Sequence, residues 1–279
     1  MNLVIENIKR AQLAVSESQK QQAKDSFVPL ADLLPIPKHP RVLCWDIEAS
    51  SLKLNWGHIF CIGMKWLGQP KTVVRSIMEY PEFLTNHASD RSLVNECARY
   101  LEQADLWVFH FGEFFDIRAV RTRLALYRGS PLAPIKFVDT WRLARKLALH
   151  SNRLDAVGNF LGLPEKTAIK PDLWNEANGG HPRAIREIID HCKHDIPPLE
   201  GAYRKLRALM TDHPNLNLTY PDPADRNTNR CPTCGSANLK LEGHSFARTR
   251  VRDRWRCLEP DCGKWSVGVT SSIQGEGIR

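Results

Sequence analysis

RVLCWDIE, residues 41–48, is the stretch that indicates the fold. Its β-branched and aromatic residues predict a strand. Because side chains alternate along a strand, Asp46 and Glu48 leave one face while Ile47 leaves the other. Two like charges on one face of an apolar strand repel each other, and a divalent cation would offset that repulsion. A lone D-x-E pair also occurs on solvated strands, so the stretch indicates a metal site only if further ligands join it.

The segments that follow complete an α/β pattern. Turns at Asn55–Gly57 and Gly68–Pro70 separate this strand from two more apolar segments, which predicts a three-stranded meander. Beyond it, apolar residues at helical spacing alternate with short buried runs. The predicted strands are 41–48, 58–68, 71–78, 104–111 and 135–140, and the predicted helices are 89–103, 114–127, 140–149, 153–162 and 182–211. This order predicts an α/β fold with a mixed β-sheet flanked by helices.

Composition divides the chain into four parts. A loose helical pattern over residues 1–30 predicts an N-terminal arm, and four prolines at 29, 35, 37 and 40 predict an extended connector. Apolar periodicity is lost again after residue 212, where three prolines follow. The predicted parts are the arm and connector (1–40), the α/β domain (41–212), a linker (213–230) and a cysteine module (231–279).

Two further stretches carry carboxylates in positions that match the first. They are FHFGEFFDIRAV (109–120) at a strand-to-helix junction and HCKHDIPPLEGAY (191–203) within a helix. Together with CWDIEASSL (44–52) they resemble the three motifs of the DEDD 3′→5′ exonucleases, the proofreading-exonuclease and RNase T-like group of the ribonuclease H-like fold. The resemblance covers about residues 41–212, and the intervening KFVDTWRLARKL and NRLDAVGNFLGLPEK are similar to segments of phage and DNA-polymerase-associated members.

The resemblance implies a site for two Mg²⁺ or Mn²⁺ ions, roughly 4 Å apart beside the scissile phosphodiester. It also implies that His191 accepts the proton of the attacking water and that nucleoside 5′-monophosphates leave from the 3′ end. The implied metal ligands are Asp46, Glu48, Asp116 and Asp195. Three other acidic residues are assigned elsewhere: Asp139 as a helix N-cap, and Asp155 and Asp190 as surface or structural charges.

This sequence departs from the family pattern in two motifs. Phe111 precedes Gly112 where the second motif usually carries Asn-Gly, so the contact of that amide is absent or replaced by His110. The third motif reads H-x3-D instead of H-x4-D or Y-x3-D. On a helix His191 and Asp195 share a face whereas His194 points elsewhere, which favours His191 as the general base. A purely structural role for His191 is the alternative.

Eight cysteines fall into two groups. Cys44, Cys61, Cys97 and Cys192 stand singly among apolar or helical residues, which is typical of reduced, buried thiols. The other four form two close pairs, CPTCG and CLEPDCGK, each resembling a zinc knuckle. Four thiolates predict one structural Zn²⁺ in a zinc ribbon, and its ligands would be Cys231, Cys234, Cys257 and Cys262.

Between the knuckles, RTRVRDRWR (248–256) places an arginine at every second position. If this stretch is a strand, all of these guanidinium groups lie on one face, where they suit phosphate oxygens. An edge strand protected by its charges is the alternative. The predicted nucleic-acid-binding residues are Arg248, Arg250, Arg252, Arg254 and Arg256.

These features together favour an enzyme that degrades nucleic acid from the 3′ end. A formal net charge of +8 suits a polyanionic partner, DNA is favoured over RNA, and a replication or recombination protein is a candidate partner. No apolar run has the length of a membrane span or signal peptide, so the expected location is the cytoplasm of a bacterium or phage-infected host. The alternatives are an RNA-directed exonuclease, a structure-specific endonuclease, and a non-catalytic nucleic-acid-binding or recruitment protein on a degenerate exonuclease fold.

Overall fold

The computed structural model describes residues 17, 27–164, 169–226, 229–246 and 250–274. The helical arm expected over residues 1–30 therefore lies outside the described residues, apart from Glu17 and residues 27–30. Within the described parts of the chain, no helix has the length and apolarity needed to cross a membrane.

A five-stranded mixed sheet forms the centre of the larger part of the molecule. Its strand order is β3-β2-β1-β4-β5. Strands β1, β2 and β3 pair antiparallel as the predicted meander, whereas β4 and β5 run parallel to β1. The strands are β1 (Val42–Ala49), β2 (Ile59–Trp66), β3 (Val73–Ser76), β4 (Leu106–Phe109) and β5 (Lys136–Asp139). The predicted mixed sheet with flanking helices is confirmed.

Helices cover both faces of this sheet. The seven described helices are α1 (Leu30–Leu33), α2 (Arg91–Leu101), α3 (Asp116–Leu126), α4 (Thr140–Ala144), α5 (Leu154–Phe160), α6 (Pro171–Asn178) and α7 (Pro182–Leu206). The expected helix over 140–149 ends at Ala144, and the sequence analysis missed α6. Another difference is α1, which lies in the proline-rich segment expected to be extended. Pro29 precedes its first turn, where the missing N–H costs no helical hydrogen bond.

Alternation along β1 divides the core into two layers. Leu43, Trp45 and Ile47 belong to the cluster that contains α2 and α3 residues. Val42 and Cys44 belong to the cluster on the opposite face, with the C-terminal half of α7. The next side chains in that second row are Asp46 and Glu48, so the sheet itself directs both carboxylates towards α7.

Helix α7 approaches the sheet closely at Gly63 of β2, the residue that pairs with Asp46. A Cβ atom at Gly63 would lie 2.8 Å from Cys192 Sγ and 3.1 Å from Ile196 Cγ1. Only glycine fits beneath the helix at this point. The close approach positions the helical turn between Cys192 and Ile196, which contains Asp195, over the carboxylates of β1.

A second, three-stranded antiparallel sheet follows in the cysteine module. Its strands are β6 (Leu239–Phe246), β7 (Arg250–Cys257) and β8 (Trp265–Gln274), in the order β6-β7-β8. Lys264, just before β8, donates to the carbonyl oxygens of Ala208 and Met210 after α7. Asn217 is buried and donates to Arg230 O at 3.0 Å. The linker segment therefore packs against the module.

Candidate metal centres

The first candidate centre begins with the two carboxylates of β1. Asp46 and Glu48 are half-buried, whereas Ile47 between them is buried in the core. This is the alternation that the sequence predicted. Both carboxylates consequently lie on the α7 side of the sheet, and neither packs into the apolar layer below it.

Helix α7 adds His191 and Asp195 to this face. His191 Nε2 lies 3.4 Å from Asp195 Oδ2 and 3.7 Å from Glu48 Oε1. The i,i+4 spacing places both residues on one helical face, as predicted, and Asp195 is buried. His194 is exposed on another face, where its ring Nδ1 contacts Asp190 O. Of the two histidines, His191 is therefore the one brought to the carboxylates.

Asp116 reaches the site from the first turn of α3. Its Oδ1 accepts a hydrogen bond of 3.1 Å from the backbone N–H of Ile47, which fixes the carboxylate beside β1. Burial raises the pKa of Asp116 well above its usual range, and the charge of Asp46 raises it further. The proximity of the buried Asp116 and the half-buried Asp46 makes a bound cation favourable, because it would offset both the desolvation and the repulsion.

The geometry fits hard divalent cations. One ligand atom each from Glu48, His191 and Asp195 lie within 4.8 Å of one another. Asp46 and Asp116 supply more carboxylate oxygens at the same end of β1. Oxygen-rich sets of this kind suit Mg²⁺ or Mn²⁺. The structure thus brings together all five residues that the sequence analysis selected around β1.

Asp139 supports this site without belonging to the set. As predicted, it is the N-cap of a helix, accepting from Trp141 N. Asp139 also accepts from the N–H groups of Phe111 and Glu113, at 2.8 and 3.3 Å, which was not predicted from the sequence. Asp139 therefore fixes the loop between β4 and α3, and this loop leads directly into Asp116 at the start of α3. The ring nitrogens of His110 contact Thr140 Oγ1 and Asn152 O, each at 2.9 Å, and add to that support.

Sequence reasoning also missed the anchor of the β1–β2 loop. Arg123 of α3 is buried and pairs with Asp90 at 2.7 Å. It also donates to the carbonyl oxygens of Leu54 and Gly57 in the loop. A buried arginine within an otherwise amphipathic helix is the signal for such a role, because its charge requires several partners. The loop that follows Glu48 is held in place by these contacts.

The second candidate centre is the cysteine cluster. The Sγ atoms of Cys231 and Cys262 are 3.8 Å apart, and those of Cys234 and Cys257 are 3.6 Å apart. A tetrahedral site with Zn–S bonds of about 2.3 Å requires sulfur separations of roughly 3.8 Å. These distances are too long for disulfides, and the four thiols fit one Zn²⁺ ion. The remaining cysteines are buried free thiols, as expected: Cys44, Cys61, Cys97 and Cys192.

The arginine row lies on the central strand of the small sheet. Strand β7 is hydrogen-bonded to β6 on one side and β8 on the other, so the edge-strand alternative is wrong. Arg250, Arg254 and Arg256 are exposed, whereas Arg252 is half-buried and Arg248 lies outside the described residues. The guanidinium carbons of Arg254 and Arg256 lie 4.8 and 5.8 Å from the ring centroid of Trp265.

Comparison with known proteins identifies the family of the larger domain. The family model described as the RNase_H superfamily matches residues 43–207, more than half of the chain. Among solved structures, the chain is similar to the family B DNA polymerase from the hyperthermophilic archaeon Pyrobaculum calidifontis, with a TM-score of 0.51 and 13% sequence identity. This alignment covers 77% of the chain and 32% of the polymerase, so the chain spans about a third of that protein. No curated protein matches the sequence.

Proposed function

Because this chain belongs to the RNase H superfamily, we propose that it is a metal-dependent 3′→5′ exonuclease that releases nucleoside 5′-monophosphates. The observation that carries the proposal is the convergence of carboxylates from β1, α3 and α7 beside His191. Two Mg²⁺ or Mn²⁺ ions would be held by Asp46, Glu48, Asp116 and Asp195. When bound, such ions polarise a phosphodiester and lower the pKa of water.

DNA is the favoured substrate. One solved structure to which the chain is similar is a DNA polymerase, and the net charge of +8 suits any nucleic acid. A non-catalytic binding protein is the second candidate, but a binding role alone does not require several acids at a site that must approach phosphates. Buried acids near a polyanion oppose binding unless cations accompany them.

A nuclease assay with differently labelled ends tests this proposal. Single- and double-stranded DNA and RNA, each labelled at the 5′ end, would be incubated with Mg²⁺, Mn²⁺ or EDTA. We expect a ladder that shortens one nucleotide at a time in Mg²⁺ or Mn²⁺, with no products in EDTA. A 3′ label should leave as a mononucleotide at the earliest times. Internal cleavage would instead indicate an endonuclease, and uncleaved but bound strands would favour the non-catalytic candidate.

His191 is proposed to accept a proton at Nε2, the atom nearest Glu48 and Asp195. The two carboxylates lie close enough to orient the ring. His191→Ala should lower kcat by roughly 10²–10⁴-fold while leaving substrate affinity nearly unchanged. His194→Ala is the matched control. Because His194 is exposed on another face of the same helix, this variant should retain full activity.

The Mg²⁺ dependence of His191→Ala shows whether His191 acts as a general base or as a metal ligand. If the ring acts as a base, the Mg²⁺ concentration for half-maximal rate should be the same in His191→Ala and the wild type. A large increase in that concentration would show that the ring is a metal ligand. A loss of rate below tenfold, without such an increase, would contradict both roles and leave a structural one.

The small sheet is proposed to anchor nucleic acid through the exposed arginines of β7. Guanidinium groups bind phosphate oxygens without reading base identity. On duplex DNA each phosphate contact contributes about −0.9 to the slope of log affinity against log salt. Substituting Arg250, Arg254 and Arg256 with Glu should therefore reduce the magnitude of that slope by roughly two to three.

Hydrolysis of a short oligonucleotide that reaches only the carboxylates should survive in this triple variant. The measurement is a salt titration of binding, with zinc content determined on the same samples. An unchanged slope with zinc still bound would show that the arginine row serves another purpose.

A further inference from the structure

The loop between β4 and α3 holds a phenylalanine in an unusual backbone conformation. Phe111 has φ 66°, in the left-handed region that bulky residues rarely adopt, and its side chain is 42% exposed. The buried carboxylate of Asp139 accepts its N–H at 2.8 Å. Glycine is required next, because a Cβ at Gly112 would lie 2.4 Å from Phe109 Cγ. The fold therefore maintains a costly conformation that leaves an aromatic ring in solvent.

Two other aromatic rings support the Phe111 side chain. Phe114 stacks on it, with ring centroids 5.2 Å apart and planes inclined by 27°. Trp141 of α4 contacts both rings edge-on, at centroid distances of 5.0 and 5.6 Å. We call Phe111, Phe114 and Trp141 the aromatic platform. These contacts fix the orientation of Phe111, so little rotational entropy is lost when a flat partner stacks on it.

Three exposed arginines surround the platform. The guanidinium carbons of Arg118 and Arg142 lie 5.4 and 5.8 Å from the centroid of the Phe114 ring. That of Arg145 lies 4.9 Å from the Trp141 ring. Arg142 also pairs with Glu113 at 2.8 Å. Flat aromatic rings bordered by cations are the combination that binds single-stranded nucleic acid, where bases stack and phosphates meet positive charge.

Asp139 connects the aromatic platform to the carboxylate site. Its carboxylate accepts from the N–H groups of Phe111 and of Glu113, which precedes Asp116 by three residues. Asp116 is the first residue of α3 and follows Phe111 by five residues. A strand bound at the carboxylates by its 3′ end would therefore pass near these rings.

We propose that the aromatic platform binds an unpaired nucleobase close to the 3′ end of the substrate, with Arg118, Arg142 and Arg145 contacting the backbone phosphates. The inference rests on the proposed exonuclease function and makes the substrate at this site single-stranded or frayed DNA. Stacking on Phe111 requires a free base face, which a paired and stacked duplex end does not offer. Duplex ends would have to melt first, at an energetic cost.

Binding of a fluorescent oligonucleotide tests the proposal without any hydrolysis. A single-stranded deoxyoligonucleotide with hydrolysis-resistant linkages at its 3′ end carries 2-aminopurine at successive positions from that end and is titrated with the protein in Mg²⁺. Stacking on an aromatic ring quenches this base, so the wild type should quench strongly at one or two positions near the end. Phe111→Asn should remove that quenching and raise Kd by about 5- to 150-fold, the range for losing one base–aromatic stack.

The variants are chosen to keep the backbone intact. Asparagine adopts the left-handed conformation more readily than most residues, so Phe111→Asn is expected to fold. Phe111→Trp should restore the quenching and the affinity. Phe160→Ala removes another exposed phenylalanine of the same domain and should bind like the wild type. Unchanged quenching and Kd in folded Phe111→Asn would overturn the proposal.

A modified oligonucleotide tests the same proposal with the wild-type protein. An abasic site at the quenched position should weaken wild-type binding as much as Phe111→Asn does, with no further loss when the two changes are combined. If an abasic site has no effect at any position near the 3′ end, the platform does not bind a base. Because these measurements need no hydrolysis, they stand apart from the exonuclease assay. Hydrolysis by a protein that fails them would contradict the platform alone, and stacking without hydrolysis would contradict the proposed activity alone.

Discussion

Asp46→Asn and Asp195→Asn should each lower the exonuclease rate by roughly 10³-fold or more, which corresponds to about 4 kcal/mol of transition-state free energy. Asn keeps the shape of the side chain but removes the negative charge that a hard cation requires. The measurement is the initial rate of mononucleotide release from a 3′-labelled single strand. Asp190→Asn is the matched control, since it lies on the same helix but is exposed.

Stability measurements show whether such a loss concerns chemistry or folding. Without metal, Asp46 repels the buried carboxylate of Asp116, whose pKa is raised by burial and raised further by the charge of Asp46. Asp46→Asn, which removes one of these charges, should therefore unfold in EDTA at the same temperature as the wild type or higher. A variant that retains more than a tenth of the wild-type rate would contradict the assignment of that residue as a metal ligand.

Removal of zinc should unfold the small sheet while the larger domain remains folded. Cys231, Cys257 and Cys262 form the buried cluster of this part of the chain, with Cys234 and Leu239 packed against it. Large side chains that would build an apolar core are exposed instead, among them Phe246, Trp265 and Val267. A bound zinc ion would therefore be the main source of stability for this sheet, on the order of 10 kcal/mol.

Cys257→Ser provides the test of this dependence. We expect the wild type to contain one zinc per chain, and the variant to lose it and to become sensitive to protease over residues 231–279. Cys97→Ala, which removes a buried thiol of the larger domain, should keep its zinc. A zinc-free variant whose small sheet still resists protease would contradict the structural role of the metal.

The part of the site on β1 and α7 was predictable because it depends on local periodicity. Alternation along a strand puts Asp46 and Glu48 on one face, and a four-residue interval puts His191 and Asp195 on one face. Both rules depend only on the secondary structure of the segment and not on its contacts with the rest of the chain. The structure adds what brings the two faces together, which is the absence of a side chain at Gly63.

Other features depended on contacts between distant residues and carried no local signal. Helix α6 has few buried side chains, so its apolar pattern is weak. Phe111 adopts a positive φ although it is not glycine, because Asp139, far along the chain, accepts its N–H. Arg252 lies in an alternating row with exposed arginines yet is half-buried, since bulges interrupt the pairing of β7 with β8 on both sides of it.

The most direct test of the central claim is the location of Mn²⁺ in crystals of the protein, from anomalous scattering. The carboxylate arrangement predicts two anomalous peaks roughly 4 Å apart, within bonding distance of Asp46, Glu48, Asp116 and Asp195. Crystals of Asp195→Asn should lose at least one of them. Anomalous peaks elsewhere, or none between β1, α3 and α7 at millimolar Mn²⁺, would contradict the proposal that these residues form a metal-dependent nuclease site.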